Sequence, residues 1–314
     1  MSKRARQATG ADAFEAHYQA RFEARWPGLR TALLTPQRHA MRLNPRAAVR
    51  AAALPDHARP LPGLPQTFAL DDAVSGFDAA TAYFLDPASV RVATLLDVAP
   101  GHQVLDLCAA PGGKSLVLAD ALGLAMPGGD GTLHANEPSP ARRGRLRRVL
   151  EGWLGVGEQA DEVDAQAQVF GHDGSRWGLH HPGAYDRVLV DAPCSSERHV
   201  FADAAALAQW TAARPRQLTQ RQVALLCAAV DSCRAGGLVV YATCALDEAE
   251  NDDVVERVLR KRRGRVVVDR DVADTDPRLA GAEPTELGWR WLPDRCGEGP
   301  IYVARLRVGE PAEP

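Results

Sequence analysis

Apolar residues in the first part of the chain recur at helical spacing. Phe14, Tyr18, Phe22 and Trp26 stand four apart, so residues 11–52 read as helices, with Pro27-Gly28 breaking the first and a second over 45–53. Residues 54–66 hold Pro55, Pro60, Pro62 and Pro65, too many for a regular element, and read as a linker. Asp86-Pro87 then opens a helix with Val90, Leu95 and Leu96 on one side. From Val104 the pattern changes to short apolar runs at 103–108, 132–136, 167–170, 187–190, 238–241, 265–268 and 302–306, which predict strands. Helices are predicted between them at 113–122, 140–150, 214–234 and 248–263. Strand and helix in alternation imply an α/β fold, a mainly parallel seven-stranded sheet covered by helices on both faces. The expected division is a small helical region and linker at 1–66 and an α/β domain at 67–314.

The 314 residues are 46% hydrophobic, 25% charged and 6% aromatic, which excludes a fibrous or disordered chain and suits a soluble globular one. No apolar run approaches the roughly 18 residues of a membrane helix. The basic start Lys3-Arg4-Ala5-Arg6 has no apolar stretch behind it, so no secretory signal is expected and the expected compartment is the cytoplasm. The six cysteines form no CxxC pair and no histidine stands at a zinc-finger spacing. Neither a metal site nor a disulfide framework is expected.

A net charge of −3 hides an asymmetry: residues 1–60 hold eleven Arg or Lys against four Asp or Glu, leaving −10 for the rest. A basic segment on an acidic chain points to a polyanionic partner. Arg142, Arg143, Arg145, Arg147 and Arg148 form a second basic cluster and residues 260–263 a third, although such runs also suit solvated helix faces. Only three of the 37 basic residues are lysines, which makes the place of each more informative.

The run Val104-Leu105-Asp106-Leu107-Cys108-Ala109-Ala110-Pro111-Gly112-Gly113-Lys114 is an apolar strand entering a turn of small residues and a helix start. In a doubly wound sheet a ligand sits there, over the carboxyl ends of the strands. The loop has neither the GxGxxG spacing of a dinucleotide site nor that of a P-loop, so NAD and ATP are poor candidates. Glu137, after the second strand, is placed to hold a ribose diol, and Asp173, after the third, to meet an adenine amino group. Together these acids point to an adenosine ligand without a diphosphate, and S-adenosyl-L-methionine fits. Two cysteines, Cys194 in Asp191-Ala192-Pro193-Cys194 and Cys244 in Tyr241-Ala242-Thr243-Cys244, close the next two strands on the same edge. Cys227 and Cys233, on a predicted helix, read as inert buried residues.

The loop ending in Lys114, the Pro-Cys and Thr-Cys motifs, and Glu250-Asn251 resemble the RNA 5-methylcytosine methyltransferases of the RsmB/NOP/Sun family. The resemblance runs from about Tyr83 to Arg307, and Arg25-Trp26-Pro27 and Leu43-Asn44 are similar to the family's helical lead-in. It implies a Rossmann-like class I methyltransferase fold and transfer of a methyl group from S-adenosyl-L-methionine to C5 of a cytosine. It implies that Cys244 is the nucleophile at C6, that Cys194 assists release, that Asp191 contacts the base, and that Lys114 lies near the thiols. The cofactor contacts it implies are Ala109, Ala110, Pro111, Gly112, Gly113, Lys114, Glu137, Arg142, Asp173 and Asp191, with Arg142 anchoring Glu137.

Glu137 stands where the family more often has Asp, and Ala245 where Ser is typical. Cys194-Ser195-Ser196-Glu197-Arg198-His199 replaces the commoner Ser-Gly-x-Gly continuation and is similar to the branch with mitochondrial rRNA and tRNA enzymes. The expected partner is RNA, rRNA before tRNA, gripped by the basic N-terminal region and the Arg142–Arg148 cluster. A ribosomal subunit or a protein partner is expected to help, and no membrane is. The competing reading is a catalytically silent RNA-binding ribosome-assembly factor with this fold.

Overall fold

The computed structural model describes residues 9–37, 39–46, 54, 58–70, 77–78, 80–126, 128–155 and 166–310. Residues 47–53 of the second expected helix lie outside them.

Two helices open the described chain, α1 (Ala11–Phe22) and α2 (Trp26–Leu34). The break between them comes at Glu23, whose φ is 48°, rather than at Pro27, which sits in the first turn of α2. That position suits proline, because the first N–H groups of a helix have no partner in it. The aromatic periodicity is real: Phe14, Tyr18 and Trp26 form a buried cluster with Val200, Trp210, Leu246 and Leu292.

Residues 40–43, expected to be helical, are instead β1 (Ala40–Leu43), which joins β2 (Arg59–Pro60), β3 (Thr67–Ala69) and β4 (Ala82–Leu85) in an antiparallel sheet of order β2-β3-β1-β4. The division expected at residue 66 falls inside this sheet, and β2 lies within the expected linker. Helix α3 (Pro87–Thr94) follows, with the Asp86 carboxylate accepting from the Ala88 N–H at its start.

The main sheet has nine strands rather than seven. Five are parallel: β5 (Gln103–Asp106), β6 (Thr132–Asn136), β7 (Ala167–Phe170), β8 (Tyr185–Asp191) and β9 (Cys233–Thr243). The other four are antiparallel: β10 (Val266–Val268), β11 (Glu283–Pro284), β12 (Trp289–Trp291) and β13 (Ile301–Val308). The order is β11-β12-β13-β9-β8-β5-β6-β7, with β10 also on β13.

Alternate strand residues face opposite ways, as a pleated strand requires. Val104, Leu189 and Val240 pack under α3, α4 (Gly113–Ala121) and α5 (Pro140–Leu154); Leu105, Val188, Val190 and Val239 pack under α6 (Arg214–Ser232) and α7 (Asp252–Lys261). Two boundaries differ from expectation. Cys233 begins β9 instead of lying on a helix, and residues 248–250 are a separate turn before α7. The chain winds outward from β5 to β7 and then returns to place β8 beside β5. That reversal opens a crevice at the carboxyl ends of β5 and β8.

Among the described residues no helix is long and apolar enough to cross a membrane. Among the described residues, at least four of the eleven basic side chains of residues 1–60 pair with carboxylates. Arg21 pairs with Asp247, Arg25 with both Glu283 and Asp294, Arg30 with Glu15, and Arg42 with Asp120. Arg21, Arg25 and Arg42 thereby tie the N-terminal elements to distant parts of the chain, while Lys3, Arg4, Arg6, Arg38 and Arg50 of the expected basic region lie outside the described residues. Arg147 and Arg148 of α5 stay exposed, as does Arg145.

Candidate active site

Each reversing strand delivers one functional group to the crevice. The turn after β5 reaches α4 through Gly112, whose φ is 122° and where a Cβ would lie 2.9 Å from a Val149 methyl. Only glycine meets both conditions. The turn sets Lys114 in the first turn of α4, where its Nζ lies 2.8 Å from Asp191 Oδ2 at the end of β8 and 3.3 Å from Ser89 Oγ. Burial opposes the lysine's charge, but Asp191 and then Cys244 outweigh it and raise its pKa, so Lys114 is cationic.

Cys194, in the loop after β8, and Cys244, just after β9, bring their sulfurs to 3.0 Å. Ser196 Oγ is 3.2 Å from the Cys244 sulfur and 3.5 Å from that of Cys194. The two thiols are unequal. Hydrogen bonding from Cys194, helped by Ser196, holds the Cys244 thiol below its ordinary range in spite of burial. The same contact, together with burial, pushes Cys194 well up. Of the two thiols, Cys244 is the one that ionises more readily and Cys194 the one that keeps its proton longer.

Two hollows meet at this pair. The first, about 170 Å³, runs from Leu107, Cys108, Ala110 and Glu137 to Asp191, Cys194, Ser196 and Cys244. The second, about 200 Å³, is bounded by Ser89, Lys114, Arg198, His199 and Gln37, and shares Asp191, Ser196 and Cys244 with the first. Glu137 is buried at 2% exposure, with the Ser139 N–H on one oxygen at 2.8 Å and Arg142 on the other at 3.0 Å. Arg142 also donates to the Ala110 carbonyl, so it ties the acid to the glycine-rich turn. Asp106, at the end of β5, is pushed up to about 7 by burial; Ser115 donates to one of its oxygens and the other is buried without a partner among the described residues.

The structure therefore brings together Lys114, Asp191, Cys194, Cys244, Ala110, Glu137 and Arg142. Ala109, Pro111, Gly112 and Gly113 shape the turn without lining either hollow. Asp173 is exposed and accepts from the Ser175 N–H and hydroxyl, which hold its carboxyl below the usual range; its neighbour Gly174 lines the first hollow instead. Sequence reasoning missed Ser196, Arg221 and Cys108 at the first hollow, and Gln37, Asp86, Ser89 and Arg198 at the second. It also missed Ser195 and Glu197, both fully buried behind the thiols. Their one visible signal was the unusual continuation after Cys194.

A family model described as 16S rRNA methyltransferase RsmB/F matches residues 93–307. The mitochondrial tRNA (cytosine(34)-C(5))-methyltransferase of Danio rerio is 42% identical over 233 residues, 72% of this chain and 60% of that protein. Its namesake in Mus musculus is 35% identical, and the match covers 72% of this chain and 64% of that protein. The match thus spans less than two thirds of the length of both tRNA enzymes. The 5-cytosine rRNA methyltransferase NSUN4 of Mus musculus is 33% identical over 281 residues, 77% of this chain and 71% of that protein. Among solved structures, NSun6 from Pyrococcus horikoshii with SFG superposes with a TM-score of 0.77 at 16% identity, over 96% of this chain and 98% of that one. That likeness concerns the fold.

Proposed function

The chain belongs to the RsmB/F methyltransferase family, and on that premise we propose that it methylates C5 of a cytosine in RNA, with S-adenosyl-L-methionine as the donor. The observation that carries this reading is the pair of thiols 3.0 Å apart where two hollows meet, with Cys244 the more readily ionised of the two.

The residues of the first hollow fit the donor. The buried Glu137 carboxylate has lone pairs left for a ribose diol, the small Ala110 and apolar Leu107 leave room beside a ring, and Asp191 favours a nearby sulfonium charge. When bound, the donor supplies an electrophilic methyl group. The chain's own residues do the rest. The Cys244 thiolate adds to C6 of the cytosine in the second hollow, which makes C5 enamine-like and nucleophilic. Asp191, held by Lys114, accepts a hydrogen bond from the exocyclic amine and orients the base, while the Lys114 cation offsets the negative charge that develops as C6 is attacked. Bonded to carbon, the Cys244 sulfur no longer draws a hydrogen bond from Cys194. The largest influence raising the Cys194 pKa then disappears and burial remains, so Cys194 gives up its proton more readily than before attack and assists loss of the C5 proton that frees the enzyme.

We take rRNA as the substrate, supported by the family description and by the wider cover of the rRNA relative; the higher identity of the Danio rerio enzyme favours tRNA as the second reading. RNA capture is assigned to the exposed Arg145, Arg147 and Arg148 and to a ribosomal surface or protein partner. The cytosine must leave its stack to reach Cys244, so a loop or single strand is the target. Bisulfite sequencing of rRNA and tRNA from cells with and without the gene tests all of this. One cytosine losing its protection is the expected result. No change at any cytosine, with the protein still bound to ribosomes, would make the silent assembly factor the better account.

A further inference from the structure

Behind the two thiols lies a buried polar network that the chemistry above does not use; the Gln222 Oε1 is its one oxygen without a partner among the described residues. Ser195, Glu197, Gln222 and Glu250 are all 0% exposed. The Ser195 hydroxyl is within hydrogen-bond reach of Glu197 Oε1 and of Glu250 Oε1 at once. A hydroxyl has one hydrogen to give, so two ionised carboxylates here would leave one oxygen pressed against a lone pair. The site closes only with one extra proton.

The remaining donors show where that proton sits. Glu197 Oε1 also accepts from Tyr18 Oη at 2.7 Å, and Glu197 Oε2 accepts from the Leu246 N–H at 3.0 Å. On Glu250, the Ser195 N–H at 3.0 Å and Gln222 Nε2 at 2.7 Å both converge on Oε2. Among the described residues, its Oε1 meets the Ser195 hydroxyl alone. We propose that Glu250 carries this extra proton and donates it in a hydrogen bond to Ser195, whose hydroxyl donates in turn to Glu197, and that this relay is a positioning device for the reacting thiols. Ser195 follows Cys194, and Leu246 lies two residues after Cys244, so the relay clamps both cysteine loops. Tyr18 ties helix α1 into the same clamp. The inference rests on the reading of these thiols as the reacting groups.

The groups facing the pair are Tyr18, Tyr241, the two thiols, and Asp247, which is already paired with His17 and Arg21. Burial, and then the charge of Glu197, push Glu250 up to about 7. The relay is therefore intact below about 7 and lost as pH rises through that value, so activity falls on the alkaline side.

Glu250→Gln keeps the relay without titrating: its amide donates to Ser195 and its carbonyl accepts from Ser195 N–H and Gln222. Glu250→Ala removes it. Methyl transfer to rRNA from cells lacking the gene should fall about 100-fold in the alanine variant, as for a misplaced reacting group. The glutamine variant should recover most of that loss and lack the alkaline fall. Independently of activity, the infrared difference between wild type and Glu250→Gln should contain a protonated-carboxyl band that titrates away through about 7. Absence of that band overturns the proposal, as does a glutamine variant as damaged as alanine or one keeping the alkaline fall. If the alanine variant does not fold, the glutamine variant and the infrared band decide alone. A wild type that methylates nothing would overturn the functional reading, while the band would still test the relay.

Discussion

Strand β9 begins with one cysteine, Cys233, and is followed at its far end by another, Cys244. Cys233 is buried and Cys244 half-buried at the hollows, and their thiols move in opposite directions. Burial pushes Cys233 up to about 12, and its one polar contact is a long one, 3.8 Å, to the Asp186 carbonyl. That contact makes the thiol a donor and does nothing for a thiolate. Cys244 is held low because two O–H or S–H groups, from Ser196 and Cys194, can point at its sulfur. The amino end of a parallel strand is closed by core, and the carboxyl end opens on the crevice where loops can supply donors. Burial alone silences a thiol, and aimed donors reverse the effect.

The largest expected effect follows from that contrast. Cys244→Ala should lower turnover by roughly a million-fold, the scale for losing a nucleophile, while Cys233→Ala leaves turnover near wild type. Cys194→Ala should form a covalent RNA–protein species and fail to release it, visible as a retarded band on a denaturing gel. Adding Cys244→Ala to that variant should remove the band. A trapped band that survives the double change would assign attack to another group and end the comparison.

The sequence made the reactive end of β9 legible and left its surroundings dark, for a physical reason. Asp106, Lys114, Asp191, Cys194 and Cys244 sit in strand–turn–helix segments of local pattern, and strand ends on one edge converge without knowledge of the rest. The parallel core was readable for the same cause. Of the antiparallel strands, β10 and β13 were readable as apolar runs, but β11 and β12 were not: they are two and three residues long, too short for any periodicity. Arg25 was read as part of a polyanion surface because its partner Asp294 lies 269 residues away. The Glu197 and Glu250 relay was equally hidden. Two acids separated by 53 positions show no pattern until α1 and two loops fold over them.

A smaller effect sharpens the comparison by removing one donor and keeping both thiols. Ser196→Ala should raise the pH midpoint for alkylation of Cys244 by about one pH unit, worth about 1.4 kcal/mol. The rate at which mass spectrometry finds iodoacetamide on Cys244, followed against pH, measures it. Cys194 remains the larger influence, so the site should still react before Cys233 at every pH. An unmoved midpoint would mean that Ser196 points its hydrogen elsewhere and that Cys194 alone prepares the nucleophile.

The smallest effect lies at the silent end. Cys233 packs at 0% exposure among Val188, Val239 and Leu306, so Cys233→Ser places a hydroxyl in an apolar site at a cost of about 1–3 kcal/mol, with turnover unchanged. Chemical denaturation and a parallel activity assay separate the two. The pH dependence has a defined sign. The folded pKa of Cys233 is raised above that of the unfolded chain, so its stabilising contribution is complete below the ordinary thiol value and is lost as pH rises toward about 12. Wild type should therefore lose stability over that alkaline window faster than Cys233→Ala, which has no proton to give up there. Equal slopes would mean that the amino end of β9 admits water, and that position along the strand does not divide the two thiols.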